Sequence, residues 1–220
     1  MAMAIAAAAI GHDATVKPGS KPRQVNPHYL PLSGGDPDPD RLGGDHTASA
    51  DVANGNCYNA GPVNGQYRGT LALQRYIDRW FRGVSAGIYN CRYVAGTTTP
   101  SIHAEGRALD WRLYSSDRKE RRAAKRIRQF FLRRDSEDRR FAGARRWGIQ
   151  QIIYNGRHWS ETHPRDGWHT CEWECGHEDH MHIEQNWRGA KRKTTAFEGY
   201  ELNHTHCRVA KVSVRYPIPC

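Results

Sequence analysis

The sequence predicts an α+β domain in which a mostly antiparallel sheet is flanked by helices. Three observations support this prediction. The chain has 220 residues, 38% of them hydrophobic, which is enough for one modest core. Hydrophobic residues recur with the helical period in some segments and with the strand period in others. An Asn-Gly pair, which favours a two-residue hairpin turn, follows one strand-like segment.

The N-terminal quarter of the chain is not expected to contribute to this core. Residues 1–55 are rich in Gly, Pro, Asp and Ala, and residues 34–40 read GGDPDPD. This composition predicts a disordered or linker-like segment that is dispensable for activity. The first ten residues are apolar but lack a basic n-region, so they make a poor secretory signal. No apolar run approaches the roughly 18 residues that a membrane span requires.

Two helices are predicted from the apolar periodicity. The first covers residues 71–81. The second covers residues 117–134, and its opposite face is almost entirely Lys and Arg. That basic face is either solvated charge or a surface for an anionic polymer. The apolar stripe of the second helix consists of Ala123, Ala124, Ile127, Phe130 and Phe131.

Strands are predicted on both sides of the Asn155-Gly156 turn and near the end of the domain. The first strand is 149–154, and the return strand begins at His158. A further strand covers 181–184. Residues 188–220 form a basic C-terminal extension, whose alternating valines are compatible with a hairpin.

Charge and cysteine content bear on the partner and the compartment. The net charge of +10 and the pI of about 9.5 favour a polyanionic partner, such as nucleic acid, an anionic membrane or an anionic cell wall. Six cysteines are compatible with disulfides and an extracellular location. An alternative for Cys171 and Cys175 is a zinc clamp with His177. Their spacing is looser than C-x-x-C, so a disulfide or free thiols are favoured.

The first candidate functional segment runs from Ser101 to Trp111. From residue 108 onwards apolar and polar residues alternate, so Asp110 is expected on the polar face of a strand. Gly106 permits a tight turn back to His103. The sequence therefore predicts that His103 and Asp110 converge.

The second candidate segment is Glu178–Glu184. Strand alternation places Met181 and Ile183 in the core, and His180 and His182 on the opposite face about 6–7 Å apart. Zinc binds imidazole nitrogen and carboxylate oxygen, and a catalytic zinc keeps one position open. The candidate ligands are therefore His103, Asp110 and one or both of His180 and His182.

Together the two segments resemble the superfamily of zinc D-alanyl-D-alanine carboxypeptidases and L-alanyl-D-glutamate endopeptidases, which includes lysostaphin-type enzymes and the hedgehog signalling domain. The pattern S-x-H-x-x-G-x-A-x-D stands at residues 101–110, and D-H-x-H stands at residues 179–182. The resemblance covers roughly residues 70–187. It implies a single zinc peptidase domain over residues 56–187, with Zn²⁺ held by His103, Asp110 and His182.

The resemblance also implies roles for the remaining residues. His180 would lie beside the metal and stabilise the transition state. Asp179 would be the general base, with Glu178 as its rival if the strand extends to residue 178. Arg92 would hold the substrate carbonyl or carboxylate. Arg92 and Ser101 are the candidate substrate-binding residues.

The implied function is a metallopeptidase that hydrolyses peptide bonds in bacterial peptidoglycan, as a carboxypeptidase or an endolysin-type endopeptidase. We expect a monomer outside the cell or at the wall, whose partners are stem peptides and anionic wall polymers rather than a specific nucleic acid. The alternative is a hedgehog-like zinc-containing binding module without catalysis. A magnesium nuclease is disfavoured because the sequence lacks the clustered carboxylates that such sites use.

Overall fold

The computed structural model describes residues 42, 48, 50, 52, 57, 59–135 and 138–197. Within these residues the α-helices are α1 (Arg68–Trp80), α2 (Arg118–Leu132), α3 (Ala142–Trp147) and α4 (Trp187–Ala190). The strands are β1 (Val84–Gly87), β2 (Ala108–Arg112), β3 (Ile149–Tyr154), β4 (Arg157–Ser160), β5 (His169–Thr170) and β6 (His180–Gln185). In this part of the chain, none of the helices combines the length and the apolar character needed to cross a bilayer.

The described strands form one sheet in the order β1-β2-β6-β3-β4-β5, and every neighbouring pair is antiparallel. This arrangement confirms the predicted α+β class. Strand β6 lies between β2 and β3, so it brings residues 180–185 beside the strand that carries Asp110. The sheet thereby joins the two candidate segments, which are about 70 residues apart in the sequence.

Helix α2 forms as its sequence predicts. The Asp117 side chain caps the helix by accepting hydrogen bonds from the backbone N–H groups of Lys119 and Glu120, at 2.7 and 2.8 Å. All five residues of the predicted apolar stripe are buried. The basic residues lie mostly on the exposed side, so α2 covers one face of the sheet with its apolar stripe and faces solvent with its charges.

The predicted hairpin joins β3 and β4. Asn155 and Gly156 both have positive φ, at 51° and 68°, as a type I′ turn requires. Their N–H groups donate to the carbonyl oxygens of His177 and Gly176, each at 2.8 Å. The hairpin tip therefore holds the loop that leads into β6.

The sheet has one apolar face and one polar face. Paired residues of an antiparallel sheet share a face, and Ile152 pairs with both Ile183 and Trp159 on the face that α2 covers. The next row lies on the other face. It runs across all six described strands through Gly87, Asp110, His182, Ile153, His158 and His169.

The predicted domain limits are only partly within the described residues. Ala48 packs with Ile102 and Ala108, and Ala50 packs with Cys57 and Ala104. A truncation that tests the predicted linker therefore has to retain both alanines, because they support the turn that carries His103. At the other end Phe197 belongs to the main core. The predicted C-terminal hairpin lies outside the described residues.

Two disulfides, Cys57–Cys91 and Cys171–Cys175, are present in the described part of the chain. The second excludes the alternative of a zinc clamp at Cys171 and Cys175, because neither sulfur remains a thiolate. The first ties the segment before α1 to the loop after β1. Disulfides are characteristic of oxidising compartments, so both agree with an extracellular location without establishing it.

Candidate metal centre

His103 is positioned by a short 3₁₀ turn, Ile102–Glu105. The Ser101 hydroxyl caps the turn by accepting a hydrogen bond from the backbone N–H of His103, at 3.3 Å. Gly106 ends it with φ of 72°, and a Cβ there would lie 1.8 Å from the carbonyl oxygen of Gly65. Only glycine combines this φ with this close approach, so the predicted turn at Gly106 fixes where His103 points.

Asp110 and His182 face each other across β2 and β6. They are register partners in the two strands, and so their side chains share the polar face. The Leu109, Trp111 and Leu113 side chains are fully buried on the opposite side, as the alternation predicts. The pairing of the strands therefore brings the two predicted ligands together directly.

The three predicted metal ligands meet at one point. Asp110 Oδ1 lies 3.1 Å from His103 Nε2 and 2.9 Å from His182 Nδ1, and the two nitrogens are 3.2 Å apart. Zinc–ligand bonds of about 2.0–2.2 Å in a tetrahedron separate the ligand atoms by about 3.3–3.6 Å. The distances between the three ligand atoms in this structure are slightly shorter than that. His103 and His182 are buried and Asp110 is half-buried, so this group can bind a metal ion.

Each histidine of the triangle is held through its other ring nitrogen. His103 Nδ1–H donates to the carbonyl oxygen of Ile88 at 2.7 Å, and His182 Nε2–H donates to Glu184 Oε1 at 3.0 Å. Such bonds fix the tautomer and leave the opposite nitrogen as a lone pair for a metal. The histidines are therefore oriented for His103 Nε2 and His182 Nδ1 to act as ligands.

A buried hydrogen-bond chain continues inward from Glu184. Gln150 Nε2 donates to Glu184 Oε2 at 2.9 Å, and Gln150 Oε1 accepts from Arg107 Nη1 at 3.1 Å. Arg107 is fully buried and its Nε donates to Glu105 Oε2 at 2.6 Å. The pairing of β3 with β6 shifts register between Ile149 and Gln151. Gln150 is the extra residue of this bulge, which directs its side chain to Glu184.

The charges of the centre are strongly coupled. Burial by itself would raise the pKa of Asp110, but the contacts with the His103 and His182 imidazoles in the metal-free protein outweigh it and hold that pKa well below its usual range. Burial by itself would lower the pKa of His182, but its hydrogen bonds to Asp110 and Glu184 raise it to about 9 in the metal-free protein. A bound metal would replace the proton of His182, so metal binding is linked to proton release.

Asp179 and His180 lie at the exposed side of the triangle. His180 Nδ1–H donates to Asp179 Oδ1 at 2.7 Å, and His180 Nε2 is 3.5 Å from Asp110 Oδ1. The hydrogen bond from His180 lowers the pKa of Asp179. Strand β6 begins at His180, and the N–H groups of Leu113 and Ser115 continue the backbone pairing by donating to the carbonyl oxygens of Asp179 and Glu178. Asp179 therefore contacts the triangle through His180, and its assignment as the base, with Glu178 as the rival, remains a prediction.

The two predicted substrate-binding residues differ in their surroundings. Arg92 is exposed, and its carbonyl oxygen accepts from the Ser101 N–H at 3.0 Å, which places its backbone beside the His103 turn. Ser101 is buried and caps that turn. The structure thus gives Ser101 a positioning role at the His103 turn, and its contact with substrate remains a prediction.

Sequence analysis did not assign His177 to this centre. Its ring centroid lies 4.7 Å from that of His180 and 5.5 Å from that of His182. Burial, with a further contribution from the charge of His182, lowers the pKa of His177 to about 4. A neutral imidazole therefore forms one wall of the site. Its φ of 63° and the Cys171–Cys175 loop place it there, and neither is visible in a linear spacing.

The chain was compared with protein families, curated proteins and solved structures. No curated protein and no solved structure matches the chain significantly. A model of the family described as VldE, C-terminal domain, matches residues 64–183, which is more than half of the 220-residue chain. The matched stretch runs from just before α1 into β6 and contains all three residues of the metal triangle. The chain therefore belongs to the family described as VldE, C-terminal domain.

Proposed function

We propose that the protein is a zinc-dependent peptidase that hydrolyses peptide bonds in bacterial peptidoglycan. The observation that supports this proposal is a buried two-histidine, one-aspartate triangle with a carboxylate–histidine pair, Asp179 and His180, at its exposed side. A structural metal site is normally closed by four protein ligands, whereas a catalytic one keeps a position for water or substrate. Only three candidate ligands converge among the described residues.

Zinc is the metal that the donor set favours. Two imidazole nitrogens and one carboxylate oxygen suit zinc, whereas magnesium and calcium prefer sites made of oxygen atoms. When bound, zinc would polarise the scissile carbonyl and lower the pKa of a water molecule in the open position. His103, Asp110 and His182 would hold it, with Ile88 and Glu184 orienting the two imidazoles.

The chain's own residues would supply the proton transfers. Asp179 is ionised at neutral pH, and its Oδ1 is engaged by His180, so Oδ2 is available to take a proton from the attacking water. The same carboxyl group can return that proton to the leaving amine. General-base assistance of this kind contributes about 10²–10⁴-fold in rate. His180 and Arg92 are the candidate donors to the developing oxyanion.

Peptidoglycan stem peptides are proposed as the substrate because of the motif resemblance. The positive charge and the disulfides agree with an enzyme that acts outside the cell or at an anionic wall. These arguments apply equally to a carboxypeptidase and to an endopeptidase, of phage or of bacterial origin. In each case we propose that the enzyme acts as a monomer.

The test compares Asp179→Asn with Glu178→Gln. Asp179→Asn keeps the shape of the side chain but cannot take a proton, so kcat on purified peptidoglycan should fall at least about 10²-fold. Zinc content and Tm should remain at the wild-type values, because Asp179 is exposed and is not a ligand. Glu178→Gln, the matched neighbour, should remain active. Full activity of Asp179→Asn would contradict the assigned base. Inactivity of zinc-loaded wild type on every peptidoglycan would favour a metal-containing binding module.

A further inference from the structure

A basic groove lies on the sheet face opposite the metal centre, between α2 and the β3–β4 hairpin. It consists of two adjoining clefts of about 770 and 180 Å³, which share Arg128, Arg157 and Trp168. Within the described part of the chain, no Asp or Glu lines either cleft. The cationic residues that line them are Arg121, Lys125, Arg126, Arg128, Arg133 and Arg157.

Trp168 organises the centre of this groove. The Arg128 guanidinium lies over its ring, 5.2 Å from the centroid, and Arg157 Nη2 donates to its carbonyl oxygen at 2.9 Å. Arg157 is the register partner of Tyr154, which places it directly after the hairpin turn. Two arginines from different elements are therefore held against the same tryptophan. A guanidinium that is already oriented loses little conformational entropy when it binds an anion.

The electrostatics of the groove favour an anionic ligand. Burial, together with the positive charge of Arg157, lowers the pKa of Arg128, although a guanidinium stays charged at any physiological pH. Two like charges are thus kept close in a partly desolvated cleft without a lining carboxylate. An anion between them would relieve this repulsion and could accept two hydrogen bonds from each guanidinium. An ordinary solvated basic helix face would not hold its cations together in this way.

The groove is also extended in one direction. Arg121, Lys125 and Arg128 follow each other at i, i+4 and i+7 on α2, so they form a stripe about 10 Å long. A single small anion would contact only part of such a stripe. A linear polymer with repeated charges would contact its whole length.

We propose that this groove binds a linear polymer whose backbone carries phosphate charges and no bases. Single-stranded nucleic acid is the less favoured occupant, because its binding proteins stack bases on open aromatic faces. The Trp168 ring is half-buried and already carries the Arg128 guanidinium. The proposal is independent of the function proposed for the metal centre.

The location of the groove has a functional consequence. Met181 and Tyr154 line it, whereas His182 and Ile153, their neighbours in sequence, point to the metal face. Strand alternation therefore separates the two sites by the thickness of the sheet. A bound polymer would hold the protein without covering the metal centre.

The test measures binding of the intact protein to long-chain inorganic polyphosphate as a function of salt. The variants are Arg128→Gln with Arg157→Gln, and a control, Arg118→Gln with Arg122→Gln. The control residues are exposed on the same helix and lie outside both clefts. Their substitution removes the same two positive charges as the groove variant. We expect the groove variant to bind at least about tenfold more weakly, since each charge-assisted contact is worth roughly that factor. Its salt dependence should lose about 1.4–1.8 units of log–log slope, corresponding to two phosphate contacts.

The control variant should bind polyphosphate within about twofold of wild type at a Debye length near 8 Å. Equal weakening of both double variants, or an unchanged groove variant, would overturn the proposal in favour of diffuse charge. The single variant Arg128→Gln is the second groove variant. It removes the guanidinium over the Trp168 ring and keeps the hydrogen bond from Arg157 to Trp168. Tighter binding of single-stranded DNA than of polyphosphate, with quenching of tryptophan fluorescence, would overturn it in favour of nucleic acid.

Discussion

Glu184→Gln is expected to weaken metal binding although Glu184 does not contact the metal position. In the wild type, Glu184 accepts from His182 Nε2–H with one oxygen and from Gln150 Nε2 with the other. A glutamine at position 184 offers one acceptor oxygen and one donor NH₂ group. Its NH₂ group would therefore face either the His182 Nε2–H or the Gln150 NH₂, both of which are donors. Gln150 cannot rotate to compensate, because its Oε1 already accepts from Arg107. One buried donor is therefore left facing another.

The size of the effect follows from this mismatch. A buried polar group without a partner costs about 1–3 kcal/mol. Loss of a partner to a metal-binding histidine typically weakens metal affinity about 10–100-fold, which corresponds to about 1.4–2.7 kcal/mol. The two estimates agree. We therefore expect the zinc Kd of Glu184→Gln to rise about 10–100-fold, measured by competition with a chromophoric chelator, which requires no catalysis.

The matched control exchanges the two side chains. In Glu184→Gln with Gln150→Glu, the amide introduced at position 184 would donate to the carboxylate introduced at position 150, and its oxygen would accept from His182. That carboxylate would also accept from Arg107. Every donor has an acceptor again, so the double variant should regain much of the lost affinity. Wild-type zinc affinity in the single variant, or no recovery in the double variant, would refute this reasoning.

Further predictions concern the metal ligands and His158, a buried histidine outside the metal triangle. His103→Ala and His182→Ala should each bind zinc at least about 10²-fold more weakly by metal analysis and competition, and full zinc occupancy in both would contradict the ligand assignment. His158 packs against His169, with ring centroids 4.3 Å apart, and burial, followed by the charge of His169, lowers its pKa to about 4. The unfolded chain takes up a proton at His158 below its ordinary pKa of 6.5, whereas the folded protein does so only near 4. The stability of the wild type should therefore fall as the pH drops from about 6.5 to about 4. The Tm of His158→Gln should fall less than the wild-type Tm over that range. An equal fall of Tm in both proteins would contradict this assignment.

Local patterns predicted α2, the hairpin and the convergence of His103 and Asp110 for a physical reason, whereas the choice of His182 over His180 as a ligand came from the motif resemblance. The α2 stripe, the type I′ turn at Asn155-Gly156 and the alternation around Asp110 each depend on neighbours within a few residues. Tertiary packing reinforced these preferences and did not override them. The convergence of His103 and Asp110 required only the Gly106 turn and a strand.

The surroundings of the triangle could not be predicted in the same way. Gln150 reaches Glu184 because of a bulge in β3, and His177 reaches the site through a left-handed residue and a disulfide loop. Both depend on contacts between distant segments, and no periodic pattern in the sequence indicates such contacts. Glu184 is different, because it stands two residues after His182 on the same strand face. Strand alternation therefore gave enough information to place it beside the metal face.

The buried charge at Arg107 was equally inaccessible to sequence analysis. An arginine is usually exposed, yet this one is fully buried between Glu105, Gln150 and the Trp187 ring, 4.7 Å from its guanidinium. Such burial requires partners from several elements, which only the folded sheet supplies.

The most direct test of the peptidase proposal is cleavage of purified peptidoglycan by the zinc-loaded protein, followed by mass spectrometry of the released fragments. We expect fragments from peptide-bond hydrolysis in the stem peptides, their loss on chelation and their return when zinc is added back. Released terminal amino acids would indicate a carboxypeptidase, and larger fragments an endopeptidase. If protein with full zinc occupancy releases no fragment from any peptidoglycan, the peptidase proposal is contradicted.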